Sequence, residues 1–278
     1  MKLHRKIIAL TLSLFGLLAL TALMKNFIDL NDVQVVYRQA PQAIARAMRG
    51  MKIIFVSDLH IAKIGRRERF VLDLVEREKP DYVLFSGDII MHFGRTDAAL
   101  DFYKRLKPRR GAYAVLGDAD YDYGTRNCGF CHVDGSWSVR DDLPVRTLRN
   151  QVVVLEGPDG PAVELWGKDG GHKGGGMEWT KQGASGLPVI SISHYPIDFP
   201  RLADAGADLV LSGDTHGGQA YAPRFLRKLF LSPDRFKYLY GRFTRGESVM
   251  NVTCGLGWSS LPIRLGVKPE VVIFDFTK

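Results

Sequence analysis

One pattern recurs five times along the chain and narrows its fold more than any other feature. An apolar run of strand length ends in a small residue, and an Asp or His follows at once. MKIIFVS (51–57) leads into Asp58-Leu59-His60, DYVLFSG (81–87) into Asp88, and GAYAVLG (111–117) into Asp118-Ala119-Asp120. LPVISIS (187–193) leads into His194, and ADLVLSG (207–213) into Asp214-Thr215-His216. Runs that are apolar throughout, rather than alternating, are the mark of parallel strands covered on both faces. Between them, RRERFVLDLVERE (66–78) places Phe70, Val71, Leu74 and Val75 at helical spacing, and Lys79-Pro80 stops it. TDAALDFYKRL (96–106) reads as a second short helix capped by Thr96. Further strands are expected at VQVVY (33–37), SVMNVTC (248–254) and EVVIFDF (270–276), with a hairpin of QVVVLEG and AVELWG around Gly157–Gly160. The fold class is therefore α/β.

In open α/β sheets, ligands collect beyond the carboxyl ends of the strands. Five strand ends thus deliver Asp and His side chains to one edge. A glycine before the Asp lets the backbone turn sharply and brings the carboxylate close to an ion. Taken singly, an Asp after a strand is an ordinary turn former and a lone His an ordinary core residue. Five in series point to a metal centre.

The 278 residues are 46% hydrophobic and 24% charged, which excludes a disordered or fibrous chain. Three cysteines are too few for a disulfide scaffold. The balance of 38 Lys+Arg against 30 Asp+Glu favours phosphate-bearing partners without choosing among lipid, nucleotide and nucleic acid. No nucleic-acid module is recognisable, so nucleic acid is not expected. Nothing here specifies an oligomeric state.

KLHRK (2–6) is followed by IIALTLSLFGLLALTALM (7–24), which carries no charge. Residues 1–25 are expected to be a signal anchor, a single transmembrane helix. A cleavable signal peptide is the competing reading, and Thr21-Ala22-Leu23 is a poor small-x-small cleavage site for it. The basic leading flank keeps the N-terminus in the cytoplasm and sends the rest out. The expected location is the cytoplasmic (inner) membrane, with the catalytic domain facing the periplasm or cell exterior. Residues 26–50 read as a linker with the first strand, and 51–278 as the main domain.

The strand-end series resembles the calcineurin-like metallophosphoesterases, and most of all their membrane-anchored bacterial branch. That family carries D-x-H, G-D, G-N-H-D/E, a lone His and G-H-x-H. The likeness includes Gly217, Gly218 and Gln219 and the tail GLGWSSLPIR (255–264). It implies a four-layer α/β/β/α sandwich around two metals. It assigns one metal to Asp58, His60, Asp88 and His216, with Asp88 bridging to a second metal held by Asp118 and His194 with Asp214. Three positions depart from the pattern. Asp118 stands for an Asn, Asp214 for a His, and Ala119 for the His that protonates the leaving group or holds the phosphate. The Asp that partners that His in the family is Met91 here. A carboxylate-rich second site suits Mn²⁺ or Mg²⁺, while Fe, Zn or Mn fits the first. Loss of a general acid costs about 10²–10⁴-fold and matters least for an acidic leaving group. The expected reaction is hydrolysis of a phosphodiester or pyrophosphate, with a lipid-linked substrate fitting the anchor. The alternative is a non-hydrolytic relative that binds metal or phosphate, or carries haem for redox sensing or electron transfer.

Two further features stand apart. Cys128-Gly129-Phe130-Cys131-His132 fits the c-type haem attachment pattern, within an inserted loop at 121–142. A local disulfide is the other reading, and His172 or Met177 are the nearby candidates for a second axial ligand. The stretch 222–245 interleaves aromatic, aliphatic and basic residues, as either a solvated helix over the core or a membrane-surface contact.

Overall fold

The structure, a computed structural model, describes residues 2–91, 96–121, 142–170, 185–220, 237–259 and 261–278. Among these, two six-stranded sheets stack face to face with helices on their outer sides. The first sheet runs in the order β1 (Gln34–Tyr37), β12 (Glu270–Asp275), β2 (Lys52–Val56), β3 (Tyr82–Phe85), β4 (Gly111–Ala114), β5 (Val145–Thr147). The second runs β10 (Gly241–Arg245), β11 (Ser248–Val252), β9 (Leu209–Ser212), β8 (Val189–Ser193), β7 (Gly160–Lys168), β6 (Gln151–Gly157). β2 to β5 are parallel, as are β7, β8, β9 and β11, so the carboxyl ends of the central strands share one edge within each sheet.

Side-chain alternation explains the continuous apolar runs. In β2, Ile54 and Val56 face the helices α3 (Arg66–Glu78) and α4 (Thr96–Arg105), packing with Val71, Leu74 and Phe102. Their neighbours Ile53 and Phe55 face the other sheet, against Leu165, Ile190 and Leu211. Both faces of the strand are dry, so no polar position interrupts it. On the far side, Phe199 and Leu202 of α5 (Phe199–Asp204) cover Trp166, Val210 and Met250. These three apolar layers are the interior of an α/β/β/α sandwich. α3 ends where the sequence predicts: Lys79 takes a left-handed φ of 45° and its N–H closes on Val75 O.

The structure adds to or departs from the sequence expectation in four places. Residues 26–50 do more than link. α1 (Lys2–Asn31) continues past residue 25, β1 pairs in parallel with β12, and Ile44 and Met48 around α2 (Gln42–Ala47) join the core between the sheets. The C-terminal strand inserts between β1 and β2, a pairing that no local pattern announces. β5 is too short to leave a pattern. At the end of the basic amphipathic stretch, Gly241–Arg245 is an edge strand paired antiparallel to β11, not helix. Residues 222–236 of that stretch lie outside the described residues, as do Cys128, Cys131, His132, His172 and Met177. The geometry therefore bears on neither the haem nor the disulfide reading.

Candidate metal centre

The turns that leave β2, β3 and β4 in one sheet and β8 and β9 in the other meet at a single place. Seven side chains converge there in three overlapping groups: Asp58, His60 and His216; Asp58, Asp88 and His194; Asp118, His194 and Asp214. Within each group the ligand atoms lie within 4.8 Å of one another. These are the seven residues singled out in the sequence. Six of them are buried, and Asp118, whose side chain is 56% exposed, marks where the site meets solvent.

The local backbone is unusual. Asp58, His60, Asp88, Asp214 and His216 all have positive φ, between 46° and 69°. Non-glycine residues rarely adopt this region, and clusters of them occur where surrounding structure holds a functional geometry. Gly87, at φ 97°, makes the tight turn that the sequence suggested. Gly213 works differently. A Cβ there would lie 1.9 Å from Ser57 Oγ and 2.2 Å from Asp58 Oδ2, so its absence lets the two sheets' turns touch.

The spacing of donor atoms fits divalent ions. His60 Nε2 and His216 Nε2 face each other at 3.2 Å, with Asp58 Oδ1 3.7 Å from His216 Nε2. Burial pushes His60 down to about 3 and His216 well below its ordinary value, so both rings are neutral with lone pairs available. His194 donates Nδ1–H to Ser86 O at 2.8 Å, which fixes the ring's orientation and turns Nε2 towards the carboxylates, where a metal ion would take the place of its proton. That Nε2 is buried and lies 3.5 Å from Asp118, 3.6 Å from Asp88 and 3.9 Å from Asp214. Ligands about 2.0–2.2 Å from a common ion sit roughly 3–3.6 Å apart, close to the separations here.

Asp88 stands between the two halves. Its Oδ2 is 3.4 Å from His60 Nε2 and its Oδ1 is 3.6 Å from His194 Nε2. Burial, then Asp120, Asp58 and Asp118, hold its carboxyl well above the usual range. Burial likewise pushes Asp58 up to about 6, with Asp214 adding to the repulsion. Burial opposes the charged form of His194, yet the Asp88, Asp118, Asp58 and Asp214 carboxylates raise it well above its ordinary value. Asp58 and Asp88 thus hold protons more readily than free carboxylates, and two divalent ions would neutralise all four carboxylates of the cluster.

Supporting residues escaped sequence reasoning. Asp120, fully buried, accepts from the N–H of Ile89, Ile90 and Gly117 and so braces the β3 and β4 turns together. Asp58 accepts from Asp214 N at 3.0 Å, while Ala119 N donates to Asp88 Oδ1 at 3.0 Å. Arg264, also fully buried, donates to the carbonyls of Cys254, Gly255 and Gly257. That turn in its turn packs on the Asp58 backbone, with Leu256 N donating to Ser57 O. An Arg in a loop carries no periodicity, and only its place in GLGWSSLPIR marked it.

A two-sheet α/β sandwich with a carboxylate–histidine cluster at its strand ends defines a class of protein with a candidate metal site. The family model for calcineurin-like phosphoesterases matches residues 51–218, and the chain belongs to that family. It is 30% identical over 231 residues to an uncharacterized metallophosphoesterase of Aquifex aeolicus, covering 80% of this chain and 84% of that protein. It is 29% identical over 239 residues to the uncharacterized metallophosphoesterase YkuE of Bacillus subtilis, covering 83% and 80%. Phosphodiesterase YaeI of Escherichia coli is 28% identical over 238 residues, covering 81% of each.

Proposed function

We propose that the protein is a metal-dependent hydrolase of phosphodiesters or pyrophosphates, held to a membrane by α1. The observation that carries this reading is the position of Asp88, with one oxygen turned to each half of the cluster. Asp58, His60 and His216 would hold one divalent ion and Asp118, His194 and Asp214 the other, with Asp88 between them. Such a pair lowers the pKa of a bound water and clamps both ends of an in-line displacement. The protein's own residues set the rest. Ser86 O orients His194, Asp120 fixes the turns, and Ala119 offers no side-chain proton donor. A phosphodiester or pyrophosphate, whose leaving group is already acidic, needs that donor least. The relative named a phosphodiesterase is consistent with this choice. Residues 51–278 would form the catalytic unit.

Among the described residues one helix, Arg5–Asn31, is long and apolar enough to cross a membrane, and none of its most apolar window is buried against the protein. With Lys2, Arg5 and Lys6 ahead of the apolar run, the domain would face the periplasm or cell exterior, and a lipid-linked phosphate would be within reach.

The test is metal loading of the purified full chain, then hydrolysis of bis-p-nitrophenyl phosphate with Mn²⁺. Two ions per chain and turnover are expected, with both ions lost in Asp88→Asn. Absence of bound metal after Mn²⁺ loading and desalting would overturn the reading. Two bound ions without turnover on any diester or pyrophosphate would leave only the metal-binding part.

A further inference from the structure

The end of α1 is fastened to the body of the protein at a defined level. The apolar run 7–24 supplies about 18 residues, about 27 Å of helix, slightly short of a hydrocarbon core of about 30 Å. Lys25 closes it, paired with Asp29 at 2.8 Å. The next residue, Asn26, donates from Nδ2 to Pro262 O at 3.0 Å and accepts Arg264 N–H at Oδ1 at 2.7 Å. Asp29 accepts Gly266 N–H at 2.7 Å. Asn26 lies two residues, about 3 Å, beyond the end of the apolar run.

The residues on either side of Pro262 are apolar and face outward. Leu261 is 58% exposed and Ile263 38%. Phe27 and Ile28, beside Asn26, are also exposed. Among the described residues, this group is left exposed, and the hydrogen bonds of Pro262 and Arg264 to Asn26 place it beside the exposed apolar positions of α1. A helix too short by a few ångströms draws its flanking residues into the boundary between acyl chains and headgroups. Apolar side chains fixed at that level enter the same zone.

The same segment is tied to the metal centre. Leu265 N donates to Gln219 O at 2.9 Å, and Ser259 N to Gln219 Oε1 at 2.8 Å, three residues beyond His216. Arg264 grips the 254–257 turn that packs on Asp58. Whatever fixes the height of Leu261 and Ile263 therefore fixes the height of the site.

We infer that Leu261 and Ile263 form a bilayer-docking tip beside α1, which seats the metal centre at headgroup level of the membrane the helix spans. This rests on α1 being a membrane span, and it deepens the proposed function. A phosphodiester at headgroup depth reaches the site without its lipid leaving the bilayer.

The test uses the full chain in nanodiscs of phosphatidylethanolamine and phosphatidylglycerol. A photo-reactive amino acid replaces Phe15, Leu261, Ile263 or, as a control, Asp159. Asp159 sits in the β6–β7 turn, at the opposite edge of the second sheet from His194. After irradiation, mass spectrometry is expected to find lipid adducts at 15, 261 and 263 and none at 159. Adducts at 15 but not at 261 or 263 overturn the docking tip and leave the anchor standing. No adduct at 15 overturns the span and the tip together. Equal labelling at 159 and 261 also overturns the tip, since it shows lipid contact without preference for that edge.

Discussion

Replacing Asp58 by Asn isolates the electrostatic load that the carboxylate cluster carries in metal-free protein. Asp58 is fully buried and its carboxyl is pushed up to about 6 by burial, with the Asp214 charge adding to it and His194 and Ser57 opposing. An unfolded Asp titrates near 3.9, so the difference is about 2 pH units, or roughly 3 kcal/mol at about 1.4 kcal/mol per unit. The folded value is the higher one. The native state therefore holds its proton longer, and Asp58 destabilises the metal-free protein progressively as pH rises from about 4 through about 6. Asn carries no charge at any of these pH values. It keeps one acceptor for Asp214 N, which the native carboxylate engages at 3.0 and 3.2 Å. Loss of the second acceptor costs about 1 kcal/mol. Metal-free Asp58→Asn is thus expected to exceed metal-free wild type by about 2 kcal/mol at pH 7.5. At roughly 2–4 °C per kcal/mol for a domain of this size, its Tm should be roughly 4–8 °C higher. The advantage should vanish or reverse by about 1 kcal/mol at pH 4. With Mn²⁺ the order should invert, because the wild type alone retains the full ligand set. Calorimetry of chelator-treated and Mn²⁺-loaded full chain in detergent reads all four states. A variant that is equally destabilised at pH 4 and pH 7.5 without metal would refute the reasoning.

Further outcomes follow from neighbouring residues. The Tm gain from Mn²⁺ should shrink as pH falls through about 6, since protons then compete for Asp58; a gain independent of pH between 5 and 7.5 would contradict this. Gly213→Ala puts a methyl group into Ser57 and Asp58, so about 1–3 kcal/mol should be lost together with metal affinity, measured by denaturation and by elemental analysis. Asp120→Ala strands three buried N–H groups and should cost roughly 3–5 kcal/mol in urea unfolding. Asp118→Ala, at the exposed rim, should leave stability within about 0.5 kcal/mol while metal content falls from two ions towards one.

The linear sequence determined which side chains reach the centre. Each of Asp58, His60, Asp88, Asp118, His194, Asp214 and His216 lies within four residues of the carboxyl end of a strand, and strand ends are readable because both faces of each strand are buried and the apolar run is unbroken. The apolar run 7–24 was equally plain, because a helix with no charged residue in that stretch has no charged face to offer water. Tertiary structure decided the rest, for reasons of distance along the chain. That β12 lies between β1 and β2 and that β10 is a strand depend on partners more than 200 residues away in the first case and on edge pairing in the second. The left-handed backbone at five ligands is imposed by the contact of two sheets and leaves no trace in composition. Arg264 shows the same limit. Its letter says only that a cation is present. Its burial, its grip on the 254–257 carbonyls and its hold on Asn26 exist only once the C-terminal loop has folded back between the end of α1 and the turn after β2.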